Sequence, residues 1–325
     1  MNGMLTIARK ELADHFSGSR FVILLALVAM VSVITTHMAG MHLRSMLAEG
    51  KAGGQVFLLL FTTSGGLFSL IQFIALFGPL LGLILGFDAV NRERSQGTLA
   101  KILAQPIYRD AVITGKFLAG ALVLATSLAA IFLLVTGLSM AVFGLVPSSG
   151  EVMRLAVFYI ISVFYVALWL AVSILFSILF RGIATSAMAA VAVWIFFTFF
   201  APYAAMVAAD AVRPPDRGGM VTREGIMANY RVQRTLSLAS PTELYRSATA
   251  TIVDPWRKTS GDEEFISRAI LGPQGSYFLD RFKNPLDFGA SLSVVWPYIS
   301  TLVAVVFVLF GVAYAVFMRQ EIRAG

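Results

Sequence analysis

Two stretches of this chain hold side chains whose types and spacing could do chemistry. His37, Met38, Met41, His42 and Met46 fall within one short run. On a helix His37 lies over Met41 and Met38 over His42, so imidazole and thioether would face each other, a soft set that suits copper. Packing accounts for the same residues, since methionine is at home in an apolar span and histidine at its polar edge. Of these, His37, Met38, Met41 and His42 are metal candidates only, and no metal is assigned to the chain. The second stretch, 86–120, gathers Asp88, Arg92, Glu93, Arg94, Lys101, Arg109, Asp110 and Lys116 between two apolar runs. Its Gly115-Lys116 pair is not a phosphate cradle. That loop needs G-x-x-x-x-G-K-[ST], whereas Asp110 stands at the first glycine position and Phe117 at the hydroxyl position. His-Glu-x-x-His, Gly-x-Ser-x-Gly and paired intramembrane carboxylates are all missing from the sequence, which argues against a hydrolase. Cysteine is absent, so thiol and disulfide chemistry are excluded.

The elements that must position these residues are set by composition. The 325 residues are 58% hydrophobic and 13% charged, with mean hydropathy +0.81. One soluble core could not bury that much apolar surface, so lipid must be the solvent. A span needs about 20 apolar residues, and six runs qualify: 21–41, 66–87, 117–146, 155–180, 183–205 and 292–318. The first lacks a small-residue cleavage site and is read as a retained span. Basic residues in short loops favour the cytoplasmic side. Arg9, Lys10, Arg20, Arg92, Arg94, Lys101, Arg109, Lys116, Arg181, Arg319 and Arg323 share one face, against Arg44, Lys51 and Arg154 on the other. Both termini are thus expected in the cytoplasm and segment 210–287 outside. The basic balance then faces anionic lipid, and no pattern suits nucleic acid.

The expected fold is an all-α membrane protein. It has about six transmembrane helices, an N-terminal interfacial helix over 1–20 and a partly helical extracytoplasmic insertion over 210–287. Residues 21–209 carry spans one to five with a cytoplasmic loop at 88–116, and 288–325 carry the sixth span and the C-terminus. Leu5, Ala8, Leu12 and Phe16 form the apolar stripe of the interfacial helix, leaving Arg9, Lys10, Glu11 and Asp14 on the polar side. Segment 43–65 mixes glycine with apolar residues and could skim the outer interface. In the insertion, Arg213 to Gly219 reads as an irregular loop. Ser240-Pro241-Thr242-Glu243 reads as a capping box that starts a helix, which runs to Val253 and is ended by Asp254-Pro255. Gln72 is the costliest polar side chain to bury in a span; it serves helix packing or a translocation path. Pro202 and Pro297 mark either hinges or membrane boundaries.

The charged loop leaves span two at Asp88. From Thr98, Leu99, Ile102 and Leu103 offer a short apolar face that Pro106 stops. A solvated loop that anchors topology by its charge explains this segment; so does a compact helix that lies in a partner's groove. Phe87-Asp88, Glu93-Arg94, Gly97-Thr98-Leu99, Pro106-Ile107, Arg109 and Gly115-Lys116 resemble, in this order, the signature loop of the ABC type 2 transporter permease family. The likeness extends to Arg9-Lys10-Glu11-Leu12, the number of spans and the helix from Ser240-Pro241 to Asp254-Pro255. It is greatest to permeases with a large loop before the last span, including those serving multicopper-enzyme maturation.

The resemblance implies a permease subunit, itself no enzyme, whose cytoplasmic helix at about 94–105 seats in a separate ABC ATPase. Asp88, Glu93, Arg94, Gly97, Thr98, Leu99, Ile102, Pro106 and Arg109 are the positions it assigns to coupling. This chain would bind no cofactor; ATP and Mg2+ would sit in the ATPase. A second permease copy, identical or related, would complete an exporter in the cytoplasmic (inner) membrane of a prokaryote. An autonomous ion-coupled transporter would need buried ionisable groups inside its spans, which the six runs lack away from their ends. The alternative is a polytopic sensor or anchor whose outer segment binds a ligand.

Overall fold

The computed structural model describes residues 3–48, 56–62, 69–99, 108–214, 216–217, 220–221, 223–256 and 285–320. It is an all-α membrane protein. Among the described residues six helical segments are long and apolar enough to cross a membrane: Phe21–Ser45, Leu70–Ser95, Arg109–Phe143, Ser149–Leu179, Ile183–Val212 and Phe288–Arg319. The chain runs α1 (Gly3–Ser17), α2 (Ser19–Ala48), α3 (Val56–Thr62), α4 (Leu70–Gly86), α5 (Asn91–Ser95), α6 (Arg109–Phe143), α7 (Ser149–Leu179) and α8 (Ile183–Ile195). A π turn (Phe196–Phe200) leads into α9 (Ala201–Val212); then come β1 (Asp216–Arg217), β2 (Met220–Val221), α10 (Arg223–Ser237), α11 (Pro241–Val253) and α12 (Phe288–Arg319).

α4 and α7 form the centre. Gly78, Gly82 and Gly86 recur every fourth residue, so they stack on one face of α4. That bare stripe lets the backbone of α7 approach: a Cβ on Gly82 would lie 2.6 Å from the Val166 carbonyl oxygen and 2.9 Å from the Leu170 amide nitrogen. Close approach of this kind is how helices associate where lipid removes the hydrophobic drive. Ser173 on α7 donates to the Leu83 carbonyl at 2.8 Å across the same seam. By contrast α2, α8 and α12 expose large apolar side chains outward, among them Ile23, Met188 and Phe307, as expected of surfaces solvated by lipid.

The spans start and stop for local reasons. Ser69 accepts from the Gln72 amide while the Gln72 side chain accepts from the Ser69 amide, a full capping box at the head of α4. Gln72 is therefore an exposed cap and not a buried polar group of the span. Ser148 and Glu151 form a second box at the head of α7. The other Glu151 oxygen accepts from the Phe57 amide at 2.9 Å and so holds α3. α6 ends at Gly144, whose φ of +67° suits glycine. Pro202 ends nothing. The π turn just before it shifts the hydrogen-bond register, the Ala201 amide donating to the Phe196 carbonyl, and the helix continues to Val212. Pro297 likewise lies inside α12.

The segment after α9 departs further from the sequence reading. Asp216 pairs with Val221 and Arg217 with Met220 in a two-residue antiparallel ladder, so part of the expected irregular loop is a hairpin. α10 follows, a helix the sequence reading did not anticipate; its Asn229 donates to Asp210 at 2.7 Å and to the Arg213 carbonyl at 2.8 Å. α11 has the expected bounds but not the expected cap. Ser240 donates to the Phe197 carbonyl at 2.7 Å, and Glu243 pairs with Arg246 at 2.7 Å. The Ser240 hydroxyl is drawn away because a bare carbonyl faces it where the π turn loosens the helix.

α11 is packed among α4, α7 and α12. Leu244, Tyr245, Ala248, Ile252 and Val253 are all buried. Tyr245 stacks on Tyr165 of α7 with centroids 4.3 Å apart and shares a hydrogen bond with Ser162 at 2.9 Å. Tyr165 donates to the Ala75 carbonyl at 2.6 Å. Beyond α11, the Arg154 guanidinium is 2% exposed. It donates to the carbonyls of Thr251, Ile252 and Leu286 and to the Ser291 hydroxyl. The sequence reading counted Arg154 among the basic residues of the short outer loops; it lies instead in the first turns of α7, where the bare carbonyls ending α11 need a donor.

Candidate functional site: the charged end of the bundle

α1, α5 and the first turns of α6 meet at one end of the bundle. The face of α1 that packs is Ile7 and Ala8, with Glu11, Leu12 and His15 half-buried, while Leu5 and Phe16 stay exposed. The stripe is rotated from the one expected, and two features of α6 explain the rotation. At Gly115 a Cβ would lie 3.0 Å from Ile7 Cγ2 and from the Met4 carbonyl, so the glycine lets α1 settle close against α6. One residue on, the Lys116 ammonium lies 2.9 Å from Glu11 Oε1 and 2.9 Å from Glu93 Oε1. Its side chain is 3% exposed. A buried ammonium demands carboxylate partners, and this one draws them from α1 and from α5.

The loop residues singled out in the sequence fall into two groups. The first turn inward. Glu93 meets Lys116. Arg94 donates to Gln320 Oε1 at 2.5 Å, and Gln320 in turn donates to the Ile178 carbonyl at 2.9 Å. Arg109 donates to the Gln320 carbonyl at 2.8 Å and to that of Phe317 at 3.3 Å, a cation at the end of a helix where the dipole favours it. Leu99 is buried. The second group shapes the turn. Asp88 lies 3.9 Å from Arg92, Thr98 donates to the Glu93 carbonyl at 3.2 Å, and Gly97 has φ +67°. Helix does not run unbroken from Arg94: α5 stops at Ser95 and a turn at Gln96 and Gly97 intervenes before Thr98. Gly97 ends it because it adopts the left-handed conformation at no steric cost. Ile102 and Pro106 lie outside the described residues.

Sequence reasoning missed Glu11, Ser177, Gln320 and the role of Lys116. The Ser177 hydroxyl accepts from the amides of Val90 and Asn91 at 2.9 and 3.1 Å, pinning the turn to the end of α7. The signal for Lys116 was available: a lysine inside an apolar helix needs a partner. Which carboxylate it takes is invisible at separations of 105 and 23 residues. Between α1, the start of α2, the end of α4 and α5 opens a cleft of about 580 Å³, lined by Lys10, Asp14, His15, Asp88, Arg92 and Glu93 among others.

The electrostatics of α1 give a pH dependence. Burial raises the Glu11 carboxyl, but the Lys116 ammonium outweighs burial and holds it below its ordinary 4.5. Burial lowers the His15 imidazole below its ordinary 6.5, against the opposing pull of Glu11. Both groups bind protons less readily when α1 is docked. The Glu11 contribution is therefore complete above pH about 4.5 and the His15 contribution above about 6.5, and each is lost as pH falls through its lower docked value. Hydrogen exchange of the α1 amides, corrected for intrinsic rate, should accelerate from pH 7.5 to about pH 4. Equal protection across that range would refute the assignment.

The metal candidates lie on one helix, α2, as the i,i+4 spacing requires. His37, Met38, Met41 and His42 are exposed along α2, and the His37 ring lies against Phe143 of α6 with centroids 6.0 Å apart. Arg44 sits over the same ring and donates to the Val142 carbonyl at 2.9 Å. The Met46 side chain lies outside the described residues.

The chain is 36% identical over 120 residues to "Probable ABC transporter permease protein NosY" of Pseudomonas aeruginosa, covering 37% of this chain and 39% of that protein. It is 35% identical over 125 residues to the protein of the same name from Stutzerimonas stutzeri, covering 38% and 41%. The aligned part thus spans about two fifths of the curated relatives it matches. The family described as ABC-2 family transporter protein matches residues 5–322. From α1 to the end of α12, the chain belongs to the ABC-2 transporter family.

Proposed function

We propose that the chain is the transmembrane permease subunit of an ABC exporter, driven by a separate ATPase that binds at the charged end of the bundle. The observation that carries this reading is the anchoring of the turn after α4. Buried or half-buried polar contacts join it to α6 through Lys116, to α7 through Ser177 and to α12 through Gln320. A displacement applied to the turn would reach several spans at once, which is what a coupling element between an engine and a bistable bundle must do. The name permease on both relatives supports it. In this reading the charged end and both termini face the cytoplasm, the membrane is the inner membrane of a bacterium, and a second permease copy completes the transporter. ATP and Mg2+ belong to the ATPase, and this chain catalyses nothing. The burial of α11 within the bundle favours transport over a sensor with a separate ligand-binding domain.

The coupling assignments divide by role. Glu93, Arg94 and Arg109 hold the turn in place, leaving the segment after Leu99, with Ile102 and Pro106, to enter the ATPase. Purification of the full chain from its native membrane should bring an ABC ATPase with it. Ile102→Pro should cut the recovered ATPase by about tenfold or more while the amount of inserted permease is unchanged, since proline would break the short helix that the sequence pattern leads one to expect there. Isolation of an active chain with no ATPase, or undiminished recovery with the proline variant, would overturn the reading.

A further inference from the structure

The Lys116 triad is unbalanced and bridges three elements. Two carboxylates share one ammonium, each at 2.9 Å, and the Glu side chains are 13% and 12% exposed. Lys10, the nearest further cation, is 3.6 Å from Glu11 and largely exposed. Among the described residues Glu93 Oε2 is buried without a hydrogen-bond partner, and Glu93 is held in the triad by Lys116. α1 touches α6 through Ile7 at Gly115, and the chain after α5 is tied back by Thr98 on the Glu93 carbonyl. α1 and the turn thus converge on a single nitrogen atom of a third helix.

We propose that Lys116 is a positioning residue that binds α1 and the α5 turn into one mechanical unit, so that displacement of the turn carries α1 with it. The separation of roles is built into the geometry. Glu93 fixes the turn to α6, and Glu11 adds α1 to a pair that is already complete. Neutralising Glu11 therefore frees α1 and leaves the turn seated, whereas neutralising Lys116 leaves two carboxylates facing each other, frees α1 and leaves the turn held only by Ser177 and Gln320.

This inference rests on the permease reading only for what displaces the turn. The absence of cysteine from the sequence allows spin labels at chosen pairs in the full chain reconstituted in liposomes, with no ATPase present. Labels at Ala13 and Ser95, both exposed, should give one narrow distance distribution. E11Q should broaden it about twofold while a reference pair at Ser95 and Leu179 keeps its width. The exchange E11K with K116E, which restores one ammonium between two carboxylates, should return the narrow distribution. An unchanged Ala13–Ser95 width in E11Q, equal broadening of the reference pair, or no recovery in the exchange would each overturn the proposal. Because the measurement needs no partner, these outcomes are independent of whether an ATPase co-purifies.

Discussion

Replacing Arg154 with methionine should lower the stability of the folded bundle by about 3–5 kcal/mol, the largest effect expected of any single side chain at the end opposite Lys116. The guanidinium satisfies three backbone carbonyls and one hydroxyl drawn from the end of α11, the segment before α12 and α12 itself. Methionine fills most of the volume but donates nothing. Each carbonyl left buried without a partner then costs about 1–3 kcal/mol, partly relieved by relaxation. Lysine should recover less than half of the loss, since it carries charge but not the planar fork that reaches several acceptors at once. Thermal unfolding in detergent measures the loss, and hydrogen exchange should show α11 opening first. A methionine variant that melts with the parent would mean these bonds merely replace bonds to water.

Gly82→Val is the second large effect. Its Cβ would stand 2.6 Å from a backbone oxygen and 2.9 Å from a backbone nitrogen of α7. Neither atom can swing aside as a side chain can, so α4 and α7 must separate along the whole seam, opening the contacts of Gly78 and Gly86 as well. Overpacking of this kind costs about 1–3 kcal/mol in soluble cores. The upper part of that range is expected here because the obstacle is backbone. Gly137→Val is the matched control: it also lies in a long span, but a Cβ there meets nothing within 4 Å. Equal melting temperatures for the two variants would show that the glycine stripe is not the contact that sets the spacing of α4 and α7.

The two glycines also show how far the sequence could be read. The stripe at Gly78, Gly82 and Gly86 was legible as a spacing, yet nothing in its own segment says which helix approaches it. Spans were legible because the bilayer imposes a length and an apolar composition that each segment must meet alone. Even there some helix starts lie outside the apolar run. α6 begins at Arg109 and α7 at Ser149, because charged and capping residues extend a helix beyond the apolar run without leaving the register. The signature loop was legible as a pattern, and the family it points to covers nearly the whole chain.

By itself the sequence determined an all-helical membrane protein, the number of its crossings and the location of its charge between the second and third of them. These follow from local physics: hydropathy over one segment, caps within a turn, glycine and proline where the backbone demands them. Only the tertiary structure decided that Lys116 takes Glu11 and Glu93, that Arg94 and Arg109 turn toward Gln320 and the end of α12, and that Arg154 closes α11. A buried charge announces from the sequence that it needs partners. Which ones it finds depends on the packing of helices far apart in the chain, and that choice is made by sterics at positions such as Gly82 and Gly115.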